Sequence, residues 1–154
     1  MDDRFVRGFI AGITAWLPTF VVNYAMEVFG VSRLMFKDFL AVMIFGRLVG
    51  NYAELFFAYI ALIGFLAVLG VIFAYLILGI GEKYLYFKGI NYSLTLWFSF
   101  YAITHLYRMH ELTTIDLGTA IGNFLGASVW GLCLVIVWQW LTRKFGTLGI
   151  QRSR

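Results

Sequence analysis

One cysteine, one proline and two histidines in 154 residues leave this chain short of the parts from which most chemical sites are built. Cys133, the only cysteine, excludes an intrachain disulfide and any cysteine-based metal site, and reads as a small buried filler in mid-span. His105 and His110 are five apart, and His110-Glu111 does not open an HExxH motif. A metal site from His105, His110, Glu111 and Asp116 suits zinc or iron in donor chemistry but has no recognised spacing. The same residues read as a solvated turn, with Asp116 as the N-cap of the helix that follows. Nucleophile elbows, glycine-rich phosphate loops and Cys-His pairs are absent, so the expectation is no enzyme, no metal and no cofactor. Charge is scarce too: 13% of residues, with a net +4 that forms no stripe for nucleic acid.

What is there instead is long uncharged sequence. Residues 8–26, 55–81, 89–107 and 117–142 contain no Asp, Glu, Lys or Arg, and one histidine among them. A bilayer core about 30 Å thick needs roughly twenty apolar helical residues, and a chain this short has no room to bury four such stretches in a soluble core. The expectation is one all-α domain in the lipid bilayer, with four transmembrane helices at about 8–29, 52–79, 89–107 and 117–142. Residues 33–47 enclose the apolar run 39–45, too short to span. They read as an interfacial or re-entrant helix, with Arg33, Lys37 and Arg47 snorkelling. The basic tail 143–154 lacks periodicity and reads as mobile. Pro18 predicts a kink in the first span, which also lacks the cleavage site and short apolar core of a signal peptide. Four spans put both termini on one side. Eight Lys and Arg fall there against four opposite, which favours cytoplasmic ends.

Polar residues at membrane depth are the candidate site residues. Asn23 and Glu27 lie one turn apart near the outer end of the first span, at a depth where His105 and Arg108 of the third also fall. They read as an interhelical ion pair that orients two helices, or as a proton-linked or anion site. Arg47, Asn51 and Glu54 form a second cluster, either a structural pair or part of a transport site at a broken segment. Asn91 and Asn123 are expected to make interhelical hydrogen bonds, and Gln139 to do so or face the cytoplasmic boundary. Gly118, Gly122 and Gly126, continued by Gly131, form a flat helical groove. It serves packing inside one subunit or an oligomer interface.

Two patterns span longer distances. GFIAGITAW at 8–16 returns as GINYSLTLW at 89–97, Asp38-Phe39 resembles Asp116-Leu117, and GVIFAYLI from Gly70 resembles GLCLVIVW from Gly131. These suggest a parallel internal repeat, with about seventeen extra residues of the first copy around 46–64. Trp138 and Trp140, with Tyr84, Tyr86 and Phe87, read as a cytoplasmic aromatic belt. Trp16, Trp97 and Trp130 lie deeper, as packing residues or as walls of a lipid or quinone pocket.

The strings DFLAVMIFGR, ELFFAYIALIGFLAVLGVIFAYLI, KGINYSLTLW and LTTIDLGTAIGNFLGASVWG resemble a group of small uncharacterised four-helix bacterial integral membrane proteins. The resemblance implies a bacterial inner membrane and a four-helix count, and supplies no activity. The expected role is a non-catalytic protein that self-associates as a homo-oligomer or serves a larger membrane complex. The alternative is an oligomeric channel or transporter for a small solute or ion.

Overall fold

The computed structural model describes residues 4–81, 83–112 and 114–151, and every regular element among them is helical. The first apolar stretch forms α1 (Arg4–Thr14) and α2 (Trp16–Val28), separated at Ala15. Pro18 explains the break, because it cannot donate to the Thr14 carbonyl and its ring crowds that oxygen. A short α3 (Phe36–Phe45) follows, started by Asp38, whose Oδ2 accepts the Met35 N–H at 2.8 Å. It is stopped by Gly46 at φ 71°. The second long helix, α4 (Tyr52–Ile72), runs into a π turn at Phe73–Ile77 and a 3-10 turn at Leu78–Ile80. α5 (Leu85–Leu106) and α6 (Leu117–Gln151) complete the chain. α6 carries on through the start of the basic tail, where the sequence suggests mobile coil. An established helix adds each further residue without a new nucleation step.

Three helical segments are long and apolar enough to cross a membrane: Arg4–Val28, Tyr52–Leu76 and Leu117–Lys144. This agrees with the expected membrane class and all-α architecture but is one short of the expected four. α5 has the length, at 22 residues. Its apolar character is diluted by Asn91, Ser93, Thr95, Ser99 and Thr104.

Two glycine crossings organise the packing. In the first, Gly8 and Gly12 of α1 lie against Gly70 of α4, so close that a Cβ on Gly70 would stand 2.8 Å from the Gly12 Cα. In the second, Gly89 of α5 lies against Gly131 of α6, where a Cβ on Gly89 would stand 2.7 Å from the Gly131 carbonyl oxygen. These are the positions that the sequence repeat aligns, Gly8 with Gly89 and Gly70 with Gly131. The chain is thus two hairpins, each closed by its own glycine crossing. The extra material of the first copy is α3 and its flanks, rather than 46–64, because the connection from α5 to α6 holds only a 3-10 turn at His110–Leu112 among the described residues.

The hairpins meet unequally. α1 and α2 pack along α6, and Trp130 Nε1 donates to the Gly12 carbonyl at 3.2 Å. The corresponding helices, α4 and α5, approach each other less closely and meet through large side chains. Tyr92 bridges them by donating to the Leu69 carbonyl at 2.8 Å, and Phe65 meets Phe100 edge-on at 5.4 Å. Phe73 against Tyr92 closes the end nearer the termini. α3 covers the other end, with Phe39 1% exposed and stacked on Tyr101.

The first turn of α1 and the Trp138–Thr142 stretch of α6 lie at one end of the bundle. Arg7 donates to Thr142 Oγ1 at 3.4 Å, and its guanidinium lies over the Trp138 ring. Trp138 is therefore buried, while Trp140, Tyr84, Tyr86 and Phe87 are exposed as a belt requires.

Candidate functional site

Between the two hairpins lies a mostly apolar cavity of about 60 Å³. Matched positions of the two hairpins line it: Trp16 and Trp97, Leu66 and Ala127, Leu69 and Trp130. α3 adds Phe36, Phe39 and Leu40 as a lid of side chains. Among the described residues, no charged side chain lines the cavity.

Its polar features are few and specific. Asn23 is 7% exposed, and its Oδ1 has no hydrogen-bond partner among the described residues. The amide rests on Gly126, where any Cβ would collide with it, so this glycine is what lets Asn23 fit. Trp97 Nε1 is also buried, with the Tyr101 hydroxyl as its neighbouring polar group. The Asn23 oxygen is therefore packed against the α6 backbone rather than hydrogen-bonded, an arrangement that costs free energy.

Beside the cavity is a feature that sequence reasoning misses. Lys37 Nζ lies 2.8 Å from Asp38 Oδ1 and 3.0 Å from Oδ2, with the two side chains only 12% and 8% exposed. Lys37 does not snorkel outward. An acid at the first turn of a short apolar run is the signal that was available, since such an acid serves the helix N-terminus.

The other expected site residues divide by position. Arg47 and Glu54 form a two-pronged ion pair at 3.0 and 2.7 Å. Glu54 also accepts from the Gly50 N–H and from Asn51, and Asn51 in turn caps α4 by accepting the Glu54 N–H. This cluster is closed on itself around a helix start. Glu27, His105 and Arg108 are exposed, and no ion pair joins them. Arg108 has φ 48°, the left-handed residue that ends α5. Among the described residues, no three of His, Cys, Asp and Glu are grouped to hold a metal ion.

The glycine groove of α6 is filled from within the chain. Gly118 meets the Val31 carbonyl, Gly122 meets Ser32 and Met26, Gly126 meets Asn23, and Gly131 meets Ser93 and Gly89. Asn123 makes interhelical bonds, donating to Leu34 O and Tyr101 Oη at 3.2 Å each. Gln139 accepts from Tyr86 at 2.8 Å. Asn91 does not bridge helices; it donates to its own Phe87 carbonyl on an exposed face of α5. Thr95 and Ser99 continue that face one turn at a time, each bonded to the carbonyl four residues back.

No protein-family model, no curated protein and no solved structure matches the chain.

Proposed function

We propose that this is a non-catalytic four-span protein of the bacterial cytoplasmic membrane that self-associates, or docks onto a larger membrane complex, through the exposed face of α5. The observation that carries this reading is the row Asn91, Thr95 and Ser99, exposed one turn apart on that helix. Their hydrogen bonds to their own backbone leave polar capacity over, most of all on Asn91. Lipid cannot use that capacity, whereas a facing helix can. The same row explains why α5 is less apolar than its neighbours while its 22 residues, roughly 33 Å at 1.5 Å each, still match a bilayer. Both termini are assigned to the cytoplasm on the bias of Lys and Arg toward their side.

The alternative reading, an oligomeric channel or transporter, would turn the same face toward a hydrated axis between subunits. It is weakened by the Arg47, Asn51 and Glu54 cluster, whose charges pair with each other and cap a helix start.

The test places single cysteines in a Cys133→Ala background and oxidises native membranes. Thr95→Cys and Ser99→Cys are expected to cross-link to a second copy or to one discrete partner, whereas Val68→Cys on α4 and Ile136→Cys on α6 are not. Equal cross-linking at all four sites, or none at any, overturns the docking face. A membrane-impermeant maleimide tests the span count. Lys83→Cys and Glu111→Cys should react from opposite sides, and reaction from one side would remove α5 as a span.

A further inference from the structure

We infer that Arg7 is the centre of a binding site for the phosphate of an anionic phospholipid, set between α1 and α6 at the end of the bundle where α1 starts. The inference is independent of the docking face on α5 and of which side the termini occupy. It rests only on the chain's lying in a bilayer.

Charge is divided between the two ends of the bundle. Glu27, Asp38, Glu54, Glu111 and Asp116, the acidic residues among those described, all lie at the end that α3 covers. The other end carries Arg4, Arg7, Lys83, Lys88, Arg143 and Lys144. Asp2, Asp3 and Glu82 belong to the same stretches of chain and lie outside the described residues. Six cations therefore stand there against three acids even when all three are counted. Basic clusters of this kind beside membrane helices attract anionic headgroups.

Arg7 differs from the other cations in how it is held. Arg4, Lys83, Arg143 and Lys144 are exposed, whereas Arg7 and Lys88 are half-buried. Lys88 is occupied, its Nζ donating to the Gly81 carbonyl at 2.7 Å. The Arg7 guanidinium lies 5.4 Å from the centre of the Trp138 ring, and one terminal nitrogen reaches Thr142 Oγ1 at a long 3.4 Å. Among the described residues no carboxylate pairs with it, and its Nε is sealed from water without a partner. The sealed Nε is not the binding atom; it shows how little of this charge is compensated. A cation drawn this far out of water gains from an anion, and the guanidinium's terminal nitrogens suit a phosphate, which they hold through paired N–H groups. Past Arg7 along α1, Phe9 and Ile10 are exposed and apolar, and Trp140 is exposed on α6. A phosphate at Arg7 thus has an apolar wall beside it for acyl chains, which a free anion would not use.

The experiment titrates the full-length protein in neutral detergent with dioleoylphosphatidylglycerol or dioleoylphosphatidylcholine and counts retained lipid by native mass spectrometry. Retention of phosphatidylglycerol is expected to saturate and to exceed that of phosphatidylcholine roughly fivefold. Equal retention of the two lipids overturns the anionic site. Inorganic phosphate at matched ionic strength should not displace the lipid, and displacement would make the ligand a free anion. Arg7→Gln should lower retention roughly fivefold. Lys83→Gln at the same end and Arg108→Gln at the opposite end remove the same charge and should leave retention unchanged. Equal loss in Lys83→Gln would mean diffuse attraction and overturns a site at Arg7, as does retention that survives Arg7→Gln. Should Arg7→Gln fail to fold, Arg7→Lys decides. It keeps the charge but loses the paired N–H groups, so retention should fall roughly threefold, and unchanged retention overturns the site.

Discussion

Gly70 holds the first crossing because nothing larger fits. A Cβ there would stand 2.8 Å from both the Cα and the nitrogen of Gly12, and backbone atoms cannot swing aside as a side-chain tip can. Gly70→Ala should therefore destabilise the fold by roughly 1–3 kcal/mol, the usual range for overpacking. Gly64, on the same helix, has nothing within 4 Å of the same added atom. Gly64→Ala should leave stability unchanged or raise it slightly, since alanine is the better helix former. Thermal unfolding of the two variants in one detergent, followed by tryptophan fluorescence, makes the comparison. Equal melting points would remove the close approach as the cause. Nothing local in the sequence separates these two glycines; only the partner helix does.

At the scale of the element, helix ends were legible and helix surroundings were not. Asp116 reads as an N-cap from sequence, and it accepts the Thr119 N–H at 2.6 Å. That hydrogen bond, followed by the Thr119 hydroxyl and the Arg33 charge, holds the Asp116 carboxyl below the usual carboxylate range. A carboxyl whose pKa is lower folded than unfolded contributes fully above the unfolded value of about 3.9, and loses that contribution as pH falls through the folded one. Asp116→Ala should thus melt below the parent protein at pH 7, with the gap closing under more acid conditions. Asp116→Asn, which still caps, should show a smaller gap at pH 7. A gap that widens toward acid would contradict the assignment. The glycines that the suggested repeat pairs, Gly8 with Gly89 and Gly70 with Gly131, fall at the two crossings. What hid was the neighbour of each face. Asn91 and Asn123 have the same side chain on similar apolar backgrounds, yet one faces outward and the other reaches Leu34 and Tyr101. Periodicity cannot separate them where lipid-facing and core-facing surfaces are equally apolar.

For the whole molecule, the all-α membrane class followed from uncharged length, because a soluble fold of this size has no room to bury such stretches. The cavity did not, since it arises where two halves fail to close. Its lining comes from five helices, and no window of sequence contains it. Asn23 was singled out for being polar at depth, and the structure adds that its oxygen is unpaired in an apolar space. The groove on α6 was legible as a groove, but its occupants, Val31, Ser32 and Asn23, lie about a hundred residues upstream.

That each hairpin carries its own glycine crossing also bears on how the protein is made. Gly8, Gly12 and Gly70 all emerge before residue 81, so the first crossing can lock while the second half is still being translated. Gly89 and Gly131 then close theirs without reopening it, and the halves join last along α6. Two separately expressed fragments, 1–82 and 83–154, should consequently find each other in one membrane and co-purify. Fragments that are each degraded and never associate would mean the crossings form only together. Synthesis order and fold would then be two descriptions of one design: a protein assembled as a pair before it is finished as a chain.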